Sequence, residues 1–187
     1  MNQLCIRVLD IVFSIIGLLV SLPVLCLLLI VGWFYTRSPV FRQRRVGRDQ
    51  KSFTLVKFRT MRKDTAHVAT HLAAESSVTP FGKFLRRTKL DELPQLWNVL
   101  KGDMSLVGPR PCLESQHELI EAREKLNVFS VRPGITGLAQ VNGIDMSTPE
   151  LLAETDAKMI ASFSVKQYFY LIFLTLTGKG AGDRIRK

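Results

Sequence analysis

Asp91 and Glu92 are neighbouring carboxylates in "KLDELPQLWNVLKGDMSLVGPRP", residues 89–111, and Lys83, Arg86, Arg87 and Lys89 stand just before or beside them. Acids among cations suit chemistry on a phosphate, because positive groups neutralise the anion that a carboxylate must approach. The plainer role is structural. Carboxylates at a helix start accept backbone N–H bonds and complement the helix dipole. Leu93, Leu96, Trp97 and Leu100 recur at i, i+3, i+4 and i+7, so the spacing predicts a short helix over 92–100. Pro94 is tolerated in its first turn, and Gly102 is a natural stop. Downstream, "SLVGPRP" and "VRPGITGLAQVNG" are rich in Gly and Pro. Such rigid loops can present Arg110, Arg132 and backbone N–H groups to an anion.

Several elements must position these groups. Residues 40–45 and 53–61 read as two strands joined by the turn Gly47-Arg48-Asp49-Gln50. A period of two puts Val56 and Phe58 on one face and Lys57 and Arg59 on the other. Two cations on one face are either a solvated surface or the lining of an anion site. Residues 64–79 read as a polar connection. Thr148-Pro149-Glu150 is a helix start, with Thr148 as cap and Pro149 at the first position. On that helix Asp156 shares a stripe with Leu152, Met159 and Phe163, and a carboxylate there is costly without a partner. The apolar run at 168–177 is too short to span a bilayer and suits the interface or the core; a loose basic tail follows it.

Residues 11–35 contain no charge, and that length is enough for a transmembrane helix. Ser21-Leu22-Pro23 interrupts the run near its centre. Pro23 has no N–H and clashes with the carbonyl of Leu19, so a kink or break is expected, and Ser21 can bond back one turn. Each arm of about 12 residues reaches roughly 18 Å, short of a hydrocarbon core of about 30 Å. Arg7 precedes the run, and Arg37, Arg42, Arg44, Arg45 and Arg48 follow it. Basic flanks favour the cytoplasmic side. On physics alone, a hairpin that enters and leaves by one face and a kinked spanning helix are both open.

The chain has 187 residues and a formal net charge of +10. Ten Arg or Lys and one acid, Asp49, lie between Thr36 and Lys63. Such a block implies a polyanionic partner: nucleic acid, an anionic membrane surface or phosphorylated substrates. Cys5, Cys26 and Cys112 are widely separated and form no CxxC, which argues against disulfides or zinc. His67 and His71 have no second ligand pair, so no metal role is assigned to them.

Taken together, the Ser-x-Pro-interrupted apolar segment, "KFRTM", "LDELPQLWNVLKGDMSLVGPRP" and "VRPGITGLAQVNG" resemble the bacterial sugar transferase family, specifically its small monotopic phosphoglycosyl transferases. The resemblance runs nearly end to end. It implies an α+β fold with two parts: a re-entrant helix-break-helix membrane hairpin at 1–36, and a mostly helical cytosolic catalytic domain at 37–187 with a short β-hairpin and interfacial amphipathic helices. It implies transfer of a sugar-1-phosphate from a UDP-sugar to undecaprenyl phosphate, with release of UMP. The setting would be the cytoplasmic face of a bacterial inner membrane, among its lipids, and a homodimer is compatible with it.

By the same resemblance Asp91 is the nucleophile and a Mg²⁺ ligand, and Glu92 supports the metal. Lys57, Arg59, Arg86, Arg110, Pro111, Arg132 and Asp156 are substrate or phosphate contacts, while Ser21 and Pro23 form the hairpin break. Ile144 stands where many relatives have Arg, which changes the expected nucleotide contacts. The competing possibility is a membrane-anchored basic module binding anionic lipid or RNA. That would leave Asp91 and Glu92 without a purpose, and aromatic stacking platforms for nucleic acid are not evident.

Overall fold

A computed structural model describes residues 3–63 and 77–180. His67, His71, most of the connection expected at 64–79 and the end of the basic tail lie outside the described residues.

Helix α1 runs from Gln3 to Thr36 without interruption, with Pro23 inside it. At 1.5 Å per residue its path is roughly 50 Å. The break expected at Ser21–Pro23 is therefore a proline within one helix rather than a gap between two. Ser21 Oγ donates weakly to Leu18 O at 3.5 Å, back along the helix, and not to Leu19 O, the carbonyl that Pro23 leaves without its usual backbone donor. Thr36 Oγ1 donates to Gly32 O at 2.9 Å, and the left-handed φ of 54° at Arg37 turns the chain out of the helix.

Most of α1 is exposed: Leu19, Val20, Leu22, Leu27, Ile30 and Phe34 face outward. Its contacts with the rest of the chain are nonetheless spread along its length. Near its start, the Arg7 guanidinium donates to Val99 O at 2.6 Å and Leu100 O at 2.8 Å. Asp10 is buried, and its Oδ1 accepts from Ser105 Oγ, Leu106 N and Tyr168 OH, each at 3.0 Å. In the middle, Gly17 lies against Leu96. Near its end, Leu25 and Leu28 pack with Phe58, Phe81, Leu85 and Leu90, and Tyr35 stacks on Phe81.

Strands β1 (Val40–Val46) and β2 (Ser52–Phe58) form the expected antiparallel hairpin. Both faces of β2 are covered. Leu55 packs with Val99 and Met104, while Phe58 packs with Leu28 and Leu85. Helices α2 (Pro80–Thr88) and α3 (Gln95–Lys101) follow. Asn98 of α3 is buried and pins that helix to the hairpin: its Oδ1 accepts from Val56 N at 3.0 Å, and its Nδ2 donates to Thr54 O at 2.8 Å.

The two Gly/Pro loops contain a parallel strand pair that periodicity did not show: β3 (Ser105–Val107) beside β4 (Gly134–Thr136). Backbone meets backbone there. A Cβ on Gly134 would overlap Gly108 N, so only glycine fits. Helix α4 (His117–Lys125) bridges the pair, and α5 (Leu138–Val141), α6 (Pro149–Ala161) and α7 (Val165–Leu176) complete the chain. Pro149 opens α6 as expected, but Thr148 makes no side-chain cap bond. Tyr168 and Leu171 bury one side of α7 against Ile6, Val107 and Met159, leaving Tyr170, Phe173 and Leu176 exposed.

Candidate active site

The site is built around the end of α2. Thr79 Oγ1 accepts from Gly82 N at 2.9 Å and Pro80 occupies the first turn, which fixes the helix start. At the other end Lys89 takes a left-handed conformation, φ 57°, a position usually given to Gly or Asn. Lys89 N bonds back to Arg86 O, and the chain tightens into a 3₁₀ turn over Leu90–Glu92. That turn buries Asp91, at 7% exposure.

Helix α3 begins only at Gln95, with Pro94 as its N-cap and no side-chain cap bond. The helix expected from residue 92 thus starts later, and neither Asp91 nor Glu92 serves as its cap. Its buried positions are Gln95, Asn98 and Val99, and Trp97 is 57% exposed, so the apolar stripe is not the core face.

Asp91 and Glu92 open onto a cavity lined also by Lys57 of β2, Arg86, Lys89 and Arg110. The opposite wall comes from the second half of the chain: Ile135, Thr136, Gln140, Ile144, Met146, Leu152, Thr175 and Lys179. Arg110 Nη1 lies 3.4 Å from Glu92 Oε1. Arg86 Nε donates to Thr60 Oγ1 at 2.9 Å, and Lys89 Nζ donates to Lys179 O at 2.6 Å. Burial pushes the Asp91 carboxyl above the usual carboxylate range, opposed by Lys57, Arg86 and Arg110. Burial lowers the Lys89 ammonium, with Glu92 opposing and Arg110 adding to the effect.

The loop carrying Arg110 is held by two buried arginines. Arg123 Nη1 donates to Arg110 O at 2.8 Å, and Arg45 Nη1 to Pro111 O at 3.0 Å. Arg123 also donates through Nη2 and Nε to Asp156 Oδ2, at 2.7 and 3.1 Å. Burial raises the Asp156 carboxyl, opposed by Arg123.

The structure brings Lys57, Arg86, Arg110, Asp91 and Glu92 to one place, as expected. Four other expected contacts are placed elsewhere. Asp156 is fully buried and faces Arg123, so it reaches the cavity only through the Arg110 carbonyl. Arg59 donates to Ser38 O at 2.8 Å and lies over Phe41. Arg132 donates to Gly102 O at 2.9 Å, in a smaller hollow with Asp10 and Arg48. Pro111 contributes its carbonyl to Arg45. Ser21 and Pro23 stay within α1. Sequence reasoning missed Lys89 as a lining residue, although it is two positions before Asp91. It also missed Thr136, Gln140, Thr175 and Lys179. Gln140 lies in "VRPGITGLAQVNG", where only the arginine had been singled out.

Two adjacent carboxylates at a cation-lined cavity fit Mg²⁺. That ion is commonly held by one or two carboxylates, with phosphates and water completing an octahedron. Among the described residues no group of three or more His, Cys, Asp or Glu forms a complete protein cage.

The model of the family described as "Bacterial sugar transferase" matches residues 1–179. The chain belongs to that family. It is 41% identical over 187 residues to the UDP-glucose:undecaprenyl-phosphate glucose-1-phosphate transferase of Escherichia coli (strain K12), covering 94% of this chain and 40% of that relative. It is 37% identical over 185 residues to the galactosyl transferase CpsE of Streptococcus agalactiae serotype III (strain NEM316), covering 91% and 41%. An uncharacterized sugar transferase of Bacillus subtilis (strain 168), EpsL, is 41% identical over 140 residues, covering 74% and 69%. The chain spans about two fifths of the length of the first two relatives. As a bacterial sugar transferase sequence, it carries its family match across both the apolar helix and the Asp91 cavity.

Proposed function

We propose that this bacterial sugar transferase moves a sugar-1-phosphate from a UDP-sugar to undecaprenyl phosphate through a covalent intermediate on Asp91. The observation that carries this is the buried Asp91 carboxylate facing Lys57, Arg86 and Arg110 in one cavity without capping α3. Asp91 attacks the phosphorus bonded to the sugar, a new P–O bond forms, and the P–O bond to UMP breaks so that UMP leaves. An oxygen of the lipid phosphate then attacks the same phosphorus and releases the Asp91 carboxylate. The sugar stays on the lipid through a diphosphate.

Lys57, Arg86 and Arg110 hold the diphosphate and balance the charge that gathers on it during each transfer. Glu92 holds Arg110 and, with Asp91, would bind Mg²⁺. Bound there, Mg²⁺ would supply Lewis-acid neutralisation of the phosphate oxygens. The arginine pair Arg123 and Arg45 keeps Arg110 in place from behind.

The same protein is proposed to enter the inner membrane from the cytoplasmic face and return, as a monotopic enzyme. Support comes from α1: Arg7 near its start and Leu28 and Gly32 near its end contact the same folded body. A helix crossing the bilayer would carry one end away from that body. A cysteine placed near residue 2 should therefore resist labelling from outside intact spheroplasts.

The basic-module alternative leaves the Asp91 cavity without a role, and three cations of its block are engaged within the chain. Arg45 is tied to Pro111, Arg59 to Ser38, and Arg44 to Glu114 at 3.1 Å. The test is UMP release by the full chain with a panel of UDP-sugars, undecaprenyl phosphate and Mg²⁺. Turnover of one sugar that stops in excess chelator is expected. Release from none of the panel, or full activity in chelator, overturns this mechanism.

A further inference from the structure

Gln140 lines the cavity, yet both heteroatoms of its carboxamide are buried without a hydrogen-bond partner among the described residues. A buried amide that satisfies neither its donor nor its acceptor is rare in folded proteins and calls for an explanation. One local partner was available. Gln140 is the third residue of α5, where a glutamine can reach back to the N–H of the N-cap, here Gly137. That bond is not made, although Gly137 leaves the room: a Cβ there would lie 2.6 Å from Gln140 Oε1. The carboxamide is thus accommodated but not used by its own fold.

The cavity wall beside it is partly apolar. Ile144 N donates to Ala139 O at 3.0 Å, which ties the Ile144 segment to α5, and Met146 lines the same cavity wall. The cations that surround Asp91 are on other elements.

We infer that the Gln140 carboxamide binds the imide edge of the uracil ring, with Ile144 and Met146 against the ring face. This rests on the UDP-sugar reading above. An imide offers an N–H beside a carbonyl oxygen, and a carboxamide offers a carbonyl beside an NH₂, so two parallel hydrogen bonds satisfy all four groups. A single sugar hydroxyl leaves less scope for such a paired match.

The test compares a UDP-sugar with its N3-methyluracil analogue, on the wild-type full chain, Gln140→Met and Gln140→Ala. Methylation removes the imide N–H, and a site built to pair with a polar group rejects an analogue lacking it. The wild type should prefer the unmodified substrate by about 100-fold in kcat/KM. In both variants KM for the unmodified substrate should rise roughly 10- to 100-fold, and the preference should shrink to about threefold or less. The ratio within each variant is independent of how much protein folds. A preference that survives intact in either active variant overturns the inference, as does a variant that alters only the choice among sugars. If the wild type turns over no UDP-sugar, the UDP-sugar reading itself fails and this inference falls with it.

Discussion

Replacing Asp91 with Asn is expected to abolish chemistry and raise the melting temperature together, a combination that a purely structural carboxylate would not give. The side chain is 7% exposed, and burial outweighs the attraction of Lys57, Arg86 and Arg110, so its folded pKa lies above the ordinary value. A carboxyl raised in this way stabilises the fold fully below its unfolded pKa, and that contribution is lost as pH rises through the folded value. At neutral pH the charged group is therefore a net strain on the fold. Asn keeps the shape and removes the charge. Each pKa unit is worth about 1.4 kcal/mol, and about 1 kcal/mol moves Tm by roughly 2–4 °C in a chain of this size. The variant is thus expected to melt above the wild type at pH 7.5, and the gap should narrow as pH falls from the raised folded value of Asp91 toward its unfolded one.

Calorimetry or dye-monitored melting in detergent measures the stability half. For the chemical half, lipid-free enzyme is incubated with UDP-sugar and Mg²⁺ and examined by mass spectrometry. The wild type should carry a phosphosugar on Asp91 and release UMP. Asp91→Asn should show no adduct, with turnover down by at least about 1,000-fold. Robust turnover by the variant, or an adduct on another residue, ends the nucleophile assignment. A lower Tm at neutral pH refutes the electrostatic reasoning even if activity is lost.

Asp156→Ala leaves the Arg123 guanidinium buried without its partner and should cost about 3–5 kcal/mol, read as a Tm lower by roughly 10 °C or more. Arg123→Met with Asp156→Leu should recover most of that stability while leaving turnover impaired, because Arg110 O loses its donor; full activity in the double variant would contradict the positioning role. Gly134→Ala drives a methyl into Gly108 N and should destabilise by more than about 3 kcal/mol, seen as lost folded yield; a normal melt would refute the β3–β4 contact. Lys89→Gly relieves the left-handed backbone, by about 1 kcal/mol, and removes a cavity cation. Tm should rise while kcat/KM falls about 10-fold, and unchanged kinetics would take Lys89 out of the site.

How far the sequence could be read depends on what held each element. The hairpin was legible because Gly47 to Gln50 is turn-rich and the strands alternate, yet alternation hid the fact that Leu55 and Phe58 are buried on opposite sides. Asp91 and Glu92 line one cavity with the cations near them in sequence, but their backbone was not legible. Residues 90–92 form a separate 3₁₀ turn because Lys89 swings left-handed before α3 begins, and no helical spacing reveals that. The β3–β4 pair was invisible because each strand has three residues and its register depends on glycine contacts 26 residues apart, between Gly108 and Gly134. Asp156 was flagged for the right physical reason, the cost of a lone carboxylate on an apolar stripe. Its answer, Arg123, lies 33 positions away on another helix. Arg132 shares an Arg-Pro sequence with Arg110, and Arg59 shares its charge with Arg86, so only tertiary placement separates them.

The fastening of α1 has a practical consequence for anyone wanting a water-soluble version of this protein. Cutting the chain ahead of residue 38 would remove more than a greasy handle. It would strip Val99 O and Leu100 O of the Arg7 guanidinium, and Ser105, Leu106 N and Tyr168 of the Asp10 carboxylate. It would also uncover Phe58 and Leu85. The better route to solubility keeps all of α1 and recodes only its outward residues, such as Leu19, Val20, Leu27 and Phe34, leaving the inward row of Ile6, Asp10, Ser14, Leu28 and Gly32 untouched.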